Sequence, residues 1–226
     1  MKIRGSKHDR RQHFPFRTVG PMIAGAGKKL AIDIGTMTPT ETVKVMPAPD
    51  AILVSRRHGD RFGRDHPKTF GAPIVAPRDV LDLLHGGANA TAVRAGQTLD
   101  VAGFTVAAVE PDHGQKLSAP IENLGIVIQF PGGGHSLRFG GDIARPGTPA
   151  ASRLDIVVPP VGGAGFVFDP AEAVACLERM DHRGRVIPVH DSGPCDPDAV
   201  ARFADLAPPH FGVIELSPGK KVEVQA

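Results

Sequence analysis

Apolar residues in this chain come in short runs closed by glycine, proline and polar clusters, a texture that predicts buried strands more than long helices. Leu30-Ala31-Ile32-Asp33-Ile34 reads as a strand, Ala51-Ile52-Leu53-Val54 as a second and Ile74-Val75-Ala76 as a third. Pro77 then opens a helical stretch in which Val80, Leu81 and Leu84 share a face, ended by Gly86-Gly87. Hairpins follow. Thr98 to Val109 alternates apolar and polar positions about a turn at Ala102-Gly103, and Gly125–Phe130 and Ser136–Phe139 face each other across Pro131-Gly132-Gly133-Gly134. Leu154–Val158 is a further buried strand, closed by Pro159-Pro160. Asp169-Pro170-Ala171-Glu172 is a helix start, because Asp169 can cap free amides, proline suits the first helical position and Glu172 stands where a capping box needs a carboxylate. Val174, Leu177 and Met180 give that helix its apolar stripe. Val186–Val189 reads as a strand leading into His190, a short helix spans about Ala199 to Leu206, and Val213–Leu216 and Val222–Val224 close the chain. Strand-rich blocks with interspersed helices predict a layered α/β fold.

Composition narrows the function classes. Of 226 residues, 41% are hydrophobic and 22% charged, the balance of a globular protein long enough to bury a large core. A net charge of +2 with no Trp or Tyr argues against nucleic acid or an anionic membrane surface as the partner. The first twenty residues carry Lys2, Arg4, Lys7, Arg10, Arg11 and Arg17, and a solvated arm is favoured there over a phosphate-binding one. No apolar run follows that would make a signal peptide, and none is long enough to span a bilayer. The two cysteines, Cys176 and Cys195, are too few for a disulfide framework and fit a cytoplasmic location. Cys176 sits in an apolar helical stretch and is expected as a buried small hydrophobe; Cys195 lies near His190, with a ligand role the lesser expectation.

Polar residues gather where the apolar strands end. Ser55-Arg56-Arg57-His58-Gly59-Asp60-Arg61 follows Val54, Glu110-Pro111-Asp112-His113 follows Val109, Gly140-Gly141-Asp142 follows Phe139, and His190-Asp191-Ser192 follows Val189. Loops at strand ends carry functional groups because the sheet fixes their direction. Imidazoles mixed with carboxylates make a ligand set for zinc or another borderline divalent ion.

The order of these segments resembles the metallo-β-lactamase superfamily, and within it the ascorbate-6-phosphate lactonase-like metal-dependent hydrolases. The resemblance runs over Ala31-Ile32-Asp33, the Arg56–Arg61 loop, His113, Gly141-Asp142, Pro160-Val161-Gly162-Gly163, Asp169-Pro170-Ala171-Glu172-Ala173, Ile187-Pro188-Val189-His190 and Ser217-Pro218-Gly219. It implies a four-layer αββα sandwich over residues 28–226, preceded by a basic arm or divergent first strands at 1–27. It also implies two metal positions, one held by His58 and His113 and the other by Asp60 and His190, with Asp142 bridging. Arg56 stands where the family's loop has its first histidine and Arg61 where it has its third. Arginine offers a metal no lone pair.

Three readings of this loop stay open. One metal, zinc or else manganese or iron, could remain, held by His58, His113 and Asp142 or by Asp60, Asp142 and His190. Alternatively, Arg56 and Arg61 replace the metals and pair with Asp60 and Asp142, leaving a metal-free binding module. In the third reading the arginines hold a phosphate or carboxylate of the substrate beside one metal. The resemblance implies hydrolysis of a small ester, lactone or phosphorylated metabolite by a metal-bound hydroxide. Asp60 or Asp142 would orient the water, and His190 or Arg61 would stabilise the developing charge. Assembly with further copies of the chain is left open. Ile32-Asp33-Ile34-Gly35-Thr36 looks superficially like a phosphate-binding turn, but no second phosphate loop accompanies it, so Asp33 is expected to be a structural carboxylate.

Overall fold

A computed structural model describes residues 2–4, 20–84, 89–110, 121–140, 154–165, 167–190, 196–216 and 221–223. The first half of the chain forms strands β1 (Lys2–Arg4), β2 (Met22–Gly25), β3 (Lys28–Ile32), β4 (Ala51–Leu53), β5 (Ile74–Ala76) and β6 (Ala90–Ala92). With the last strand, β14 (Lys221–Glu223), they make one sheet in the order β14-β1-β2-β3-β4-β5-β6. The second half forms β7 (Thr98–Val101), β8 (Phe104–Val109), β9 (Gly125–Gln129), β10 (Ser136–Phe139), β11 (Ile156–Val158), β12 (Arg185–Val186) and β13 (Gly212–Val213), in the order β13-β12-β11-β10-β9-β8-β7. Helices α1 (Thr40–Val45), α2 (His66–Phe70) and α3 (Arg78–Leu81) belong to the first half, and α4 (Pro170–Arg179) and α5 (Ala199–Leu206) to the second.

Three apolar clusters mark the interfaces between four layers. The central one joins the sheets through Leu30, Ile32, Leu53, Phe104, Ile128, Leu137, Phe139 and Ile156, all nearly inaccessible to water. A second seals α1 and α3 to the outer face of the first sheet through Val43, Ile52, Ile74 and Val80. A third seals α4 and α5 to the second sheet through Val157, Leu177, Val200 and Phe203. The fold is therefore the expected α/β sandwich of αββα layering. The β7–β8 hairpin turns at Ala102 and Gly103, both at positive φ, a turn whose own twist matches that of the strands it joins.

Differences from the sequence reading sit mostly at element ends. β3 stops at Ile32 because Asp33 takes a φ of 51° and leaves the pleat. The strand expected at Val186–Val189 is only Arg185–Val186, with Val189 returning as a lone bridge to Pro160. Two stretches of the basic first segment are strands: β2 pairs with β3, and β1 lies between β2 and β14. Short α1 and α2 were not foreseen, since six and five residues give too little periodicity to read. Gly86-Gly87 and the Ser217-Pro218-Gly219 turn lie outside the described residues.

Candidate functional site

β3, β4 and β5 run parallel in the first sheet, and β10, β11, β12 and β13 run parallel in the second. The C-terminal ends of parallel strands are where an α/β sandwich presents its functional loops. Asp33 follows β3, Ser55 to Arg61 follow β4, Phe139 ends β10, and His190 comes shortly after β12.

The loop after β4 is fixed from behind. Asp33 is 1% exposed and receives two hydrogen bonds from Ser55, one from the backbone N–H to Oδ1 and one from Oγ to Oδ2, each at 2.7 Å. Leu124 donates to the Ser55 carbonyl, and Arg56 bridges to Asn123. The His58 carbonyl then accepts the amides of Arg61 and Phe62, closing a single tight turn. Thr36 grips that turn through its amide and its hydroxyl, both donated to the Gly59 carbonyl, while Gly63 donates to Ile34. The segment that superficially resembled a phosphate loop is thus the clamp of the arginine loop.

Asp60 is the hub of the site. Arg56 Nη2 donates to both its oxygens, at 3.0 and 3.3 Å, Arg61 Nε lies 3.3 Å from Oδ2, and His190 Nε2 lies 3.5 Å from the same atom. Arg61 also reaches Asp33 Oδ2, at 3.7 Å, and lies over the Phe139 ring with its guanidinium carbon 5.6 Å from the centroid. Arg56, Arg61 and His190 are buried and Asp60 is half-buried. His190 adopts a φ of 72°, uncommon for a residue with a side chain, which turns its ring back toward Asp60.

The carboxylates are driven in opposite directions. Burial opposes ionisation of Asp60, but the close approach of His190 and the charges of Arg61 and Arg56 outweigh it and hold the carboxyl well below the usual carboxylate range. At Asp33 burial wins over Arg61 and the Ser55 bonds, and its pKa is pushed up to about 6.

Of the residues expected at the site, Arg56, Asp60, Arg61 and His190 come together. His58 lies half-buried in the same turn. His113, Asp142 and Cys195 lie outside the described residues. Sequence reading anticipated a structural Asp33 but not its partnership with Arg61, nor the parts of Ser55 and Phe139. The signal for Ser55 was present, since β3 and β4 are adjacent and parallel and set their C-terminal residues side by side.

The donor set can be tested against the metal pair that the fold implies. Among the described residues no three His, Cys, Asp or Glu side chains gather as a metal-holding group. Asp60 and His190, the expected ligands of the second position, instead hold each other and two guanidiniums. Arg56 and Arg61 balance Asp33 and Asp60, so a divalent cation at this place would add uncompensated charge to a mostly buried cluster. The described residues of the second position do not fit a metal.

Paired sheets with outer helices and functional loops at one edge define the metallo-β-lactamase fold. Residues 22–190 match the family model of the beta-lactamase superfamily domain, and the chain belongs to that family. A search of curated proteins returns no match. Among solved structures, the chain is similar to Igni18, a metallo hydrolase from Ignicoccus hospitalis, with a TM-score of 0.72 and 16% identity over 99% of both chains. It is similar to the metallo-β-lactamase fold protein YhfI of Bacillus subtilis, with a TM-score of 0.72 and 18% identity over 98% of this chain and 99% of that one. An isothiocyanate hydrolase from Delia radicum gut bacteria matches at 0.67 and 13% over 100% of both. At these identities the likeness is one of fold. No described helix is long and apolar enough to cross a membrane.

Proposed function

We propose that this chain is a small-molecule-binding protein of the metallo-β-lactamase fold in which the Arg56–Asp60–Arg61–His190 network replaces the second metal. The observation that carries this reading is the Asp60 carboxylate, held by two guanidiniums and an imidazole within 3.0–3.5 Å. A carboxylate so engaged has little basicity left for a metal or for a water. The strand-end edge where these groups meet is the face on which such folds take their ligands. The segments resembling the lactonase-like branch support a small ester, lactone or phosphorylated metabolite as the ligand class.

A second reading is kept because His58 stays in the loop: a single metal at the position of His58, His113 and Asp142, serving hydrolysis of the same class of compound. Elemental analysis of protein purified without chelators separates the two. The proposal expects no stoichiometric zinc, manganese or iron and no rise in Tm on adding them. A single equivalent favours the mononuclear hydrolase, and two equivalents overturn both readings. A companion experiment replaces both arginines, Arg56→His with Arg61→His. Calorimetric titration should show zinc binding that the parent lacks, because the change removes two cations and adds two lone-pair donors. If the double variant takes up no more zinc than the parent, this loop does not stand at the family's metal position.

A further inference from the structure

The outer face of the second sheet holds a cationic place that the Asp60 network does not use. Arg138 stands in β10 between Val127 of β9 and Val157 of β11. Its neighbours Leu137 and Phe139 enter the core between the sheets, so the pleat sends Arg138 the other way, into the layer covered by α4 and α5. There it is only 8% exposed, and its Nη1 has no hydrogen-bond partner among the described residues. Cys176 of α4 packs in the same apolar cluster as Val127 and Val157, the strand neighbours of Arg138, and Arg179 follows three residues further along that helix. Burial pushes the Cys176 thiol up, so it stays neutral and balances neither guanidinium. Cys176 packs against the apolar cluster as its helical neighbours suggested, but it is half-buried rather than sealed.

A buried guanidinium is tolerated when a counter-charge and a full set of acceptors meet it. Among the described residues no carboxylate pairs with Arg138, and a second guanidinium, that of Arg179, stands at the exposed end of α4. We propose that Arg138 and Arg179 form a binding site for a small oxoanion, seated between β10 and α4 against Cys176. Guanidinium forks suit a phosphate or carboxylate group, whose several oxygens can accept from more than one of them. The site is independent of the metal question, being on the opposite face of the sheet from Arg61 and Phe139.

The test uses the full chain carrying Cys195→Ser, so that Cys176 is the single thiol, since the sequence has two cysteines. Its alkylation by iodoacetamide is followed by mass spectrometry in inorganic phosphate, in acetate and in chloride at matched ionic strength. Phosphate or acetate should slow alkylation several-fold relative to chloride and raise Tm, and the more protective of the two names the group recognised. Arg138→Met should abolish both effects and be no less stable than the parent in chloride. Arg179→Ala, at an exposed position, should weaken the protection and decides the matter if Arg138→Met does not fold. Equal rates in all three salts overturn the site, as does protection that survives in the arginine variants. A rise in Tm alone, retained in Arg138→Met, also counts against it, since it reports only general salting effects or binding at Arg56 and Arg61.

Discussion

At the scale of single residues, two aspartates a few ångströms from the same guanidinium have opposite acid strengths, and the difference is one of solvent and partners. Asp60 keeps some contact with water and three polar partners, whereas Asp33 is sealed beneath the loop with its oxygens given to Ser55. Because the folded-state pKa of Asp33 is raised to about 6, the folded chain holds that proton more tightly than the unfolded chain does. Its contribution to stability is therefore fully present below the unfolded value near 4, and is lost as pH rises through about 6. Urea midpoints measured from pH 4 to 7 should fall across that window in the parent. In Asp33→Asn, which keeps an acceptor for the Ser55 amide but cannot titrate, the difference should flatten. An unchanged slope in the variant removes Asp33 as its source.

At the scale of elements, the arginine loop is shaped by the segment after β3 as much as by its own sequence. Gly35 packs so closely on the loop that a Cβ there would run into the Asp60 carbonyl. Gly35→Ala should therefore cost about 1–3 kcal/mol in chemical unfolding, because backbone rather than a flexible side chain must give way. A cost below a few tenths of a kcal/mol would show that this contact does not hold the loop. The helix α4 is the opposite case, legible in advance. Its capping box forms as expected, with the Glu172 amide donating to Asp169 at 2.8 Å and the Asp169 amide to Glu172 at 2.9 Å. Capping is local, depending on residues three apart, and so the sequence reveals it. The ends of β3 and β12 were less legible, since Asp33 and His190 turn out of strand geometry toward contacts supplied by other elements.

For the whole molecule, the sandwich is held by the core between its sheets, where Phe104 is fully buried and meets Phe130 edge to face at 5.4 Å. Phe104→Ala should lower unfolding stability by about 3–5 kcal/mol, the cost of lost burial plus a cavity. Val45→Ala, on a side chain 70% exposed, should change it by about 0.5 kcal/mol or less. If the two variants differ little, the central cluster is not what holds the layers together. The same layering creates the site, since Asp60 comes from the first sheet and His190 and Phe139 from the second.

The sequence by itself determined the layers, because the alternation of Phe104, Val106 and Ala108, the apolar runs of β4 and β5, and the stripe of α4 depend on local period and burial alone. It also placed two arginines, Arg56 and Arg61, in the loop that follows β4. Only the tertiary structure decided what those arginines do. Whether Arg61 meets a metal, a ligand or a carboxylate depends on Asp33, Asp60, Phe139 and His190, which lie far apart along the chain, and on a buried environment that leaves charges no choice but to pair. Arg138 makes the same point from the other face, since strand alternation tells that it leaves the central core but not that α4 closes over it.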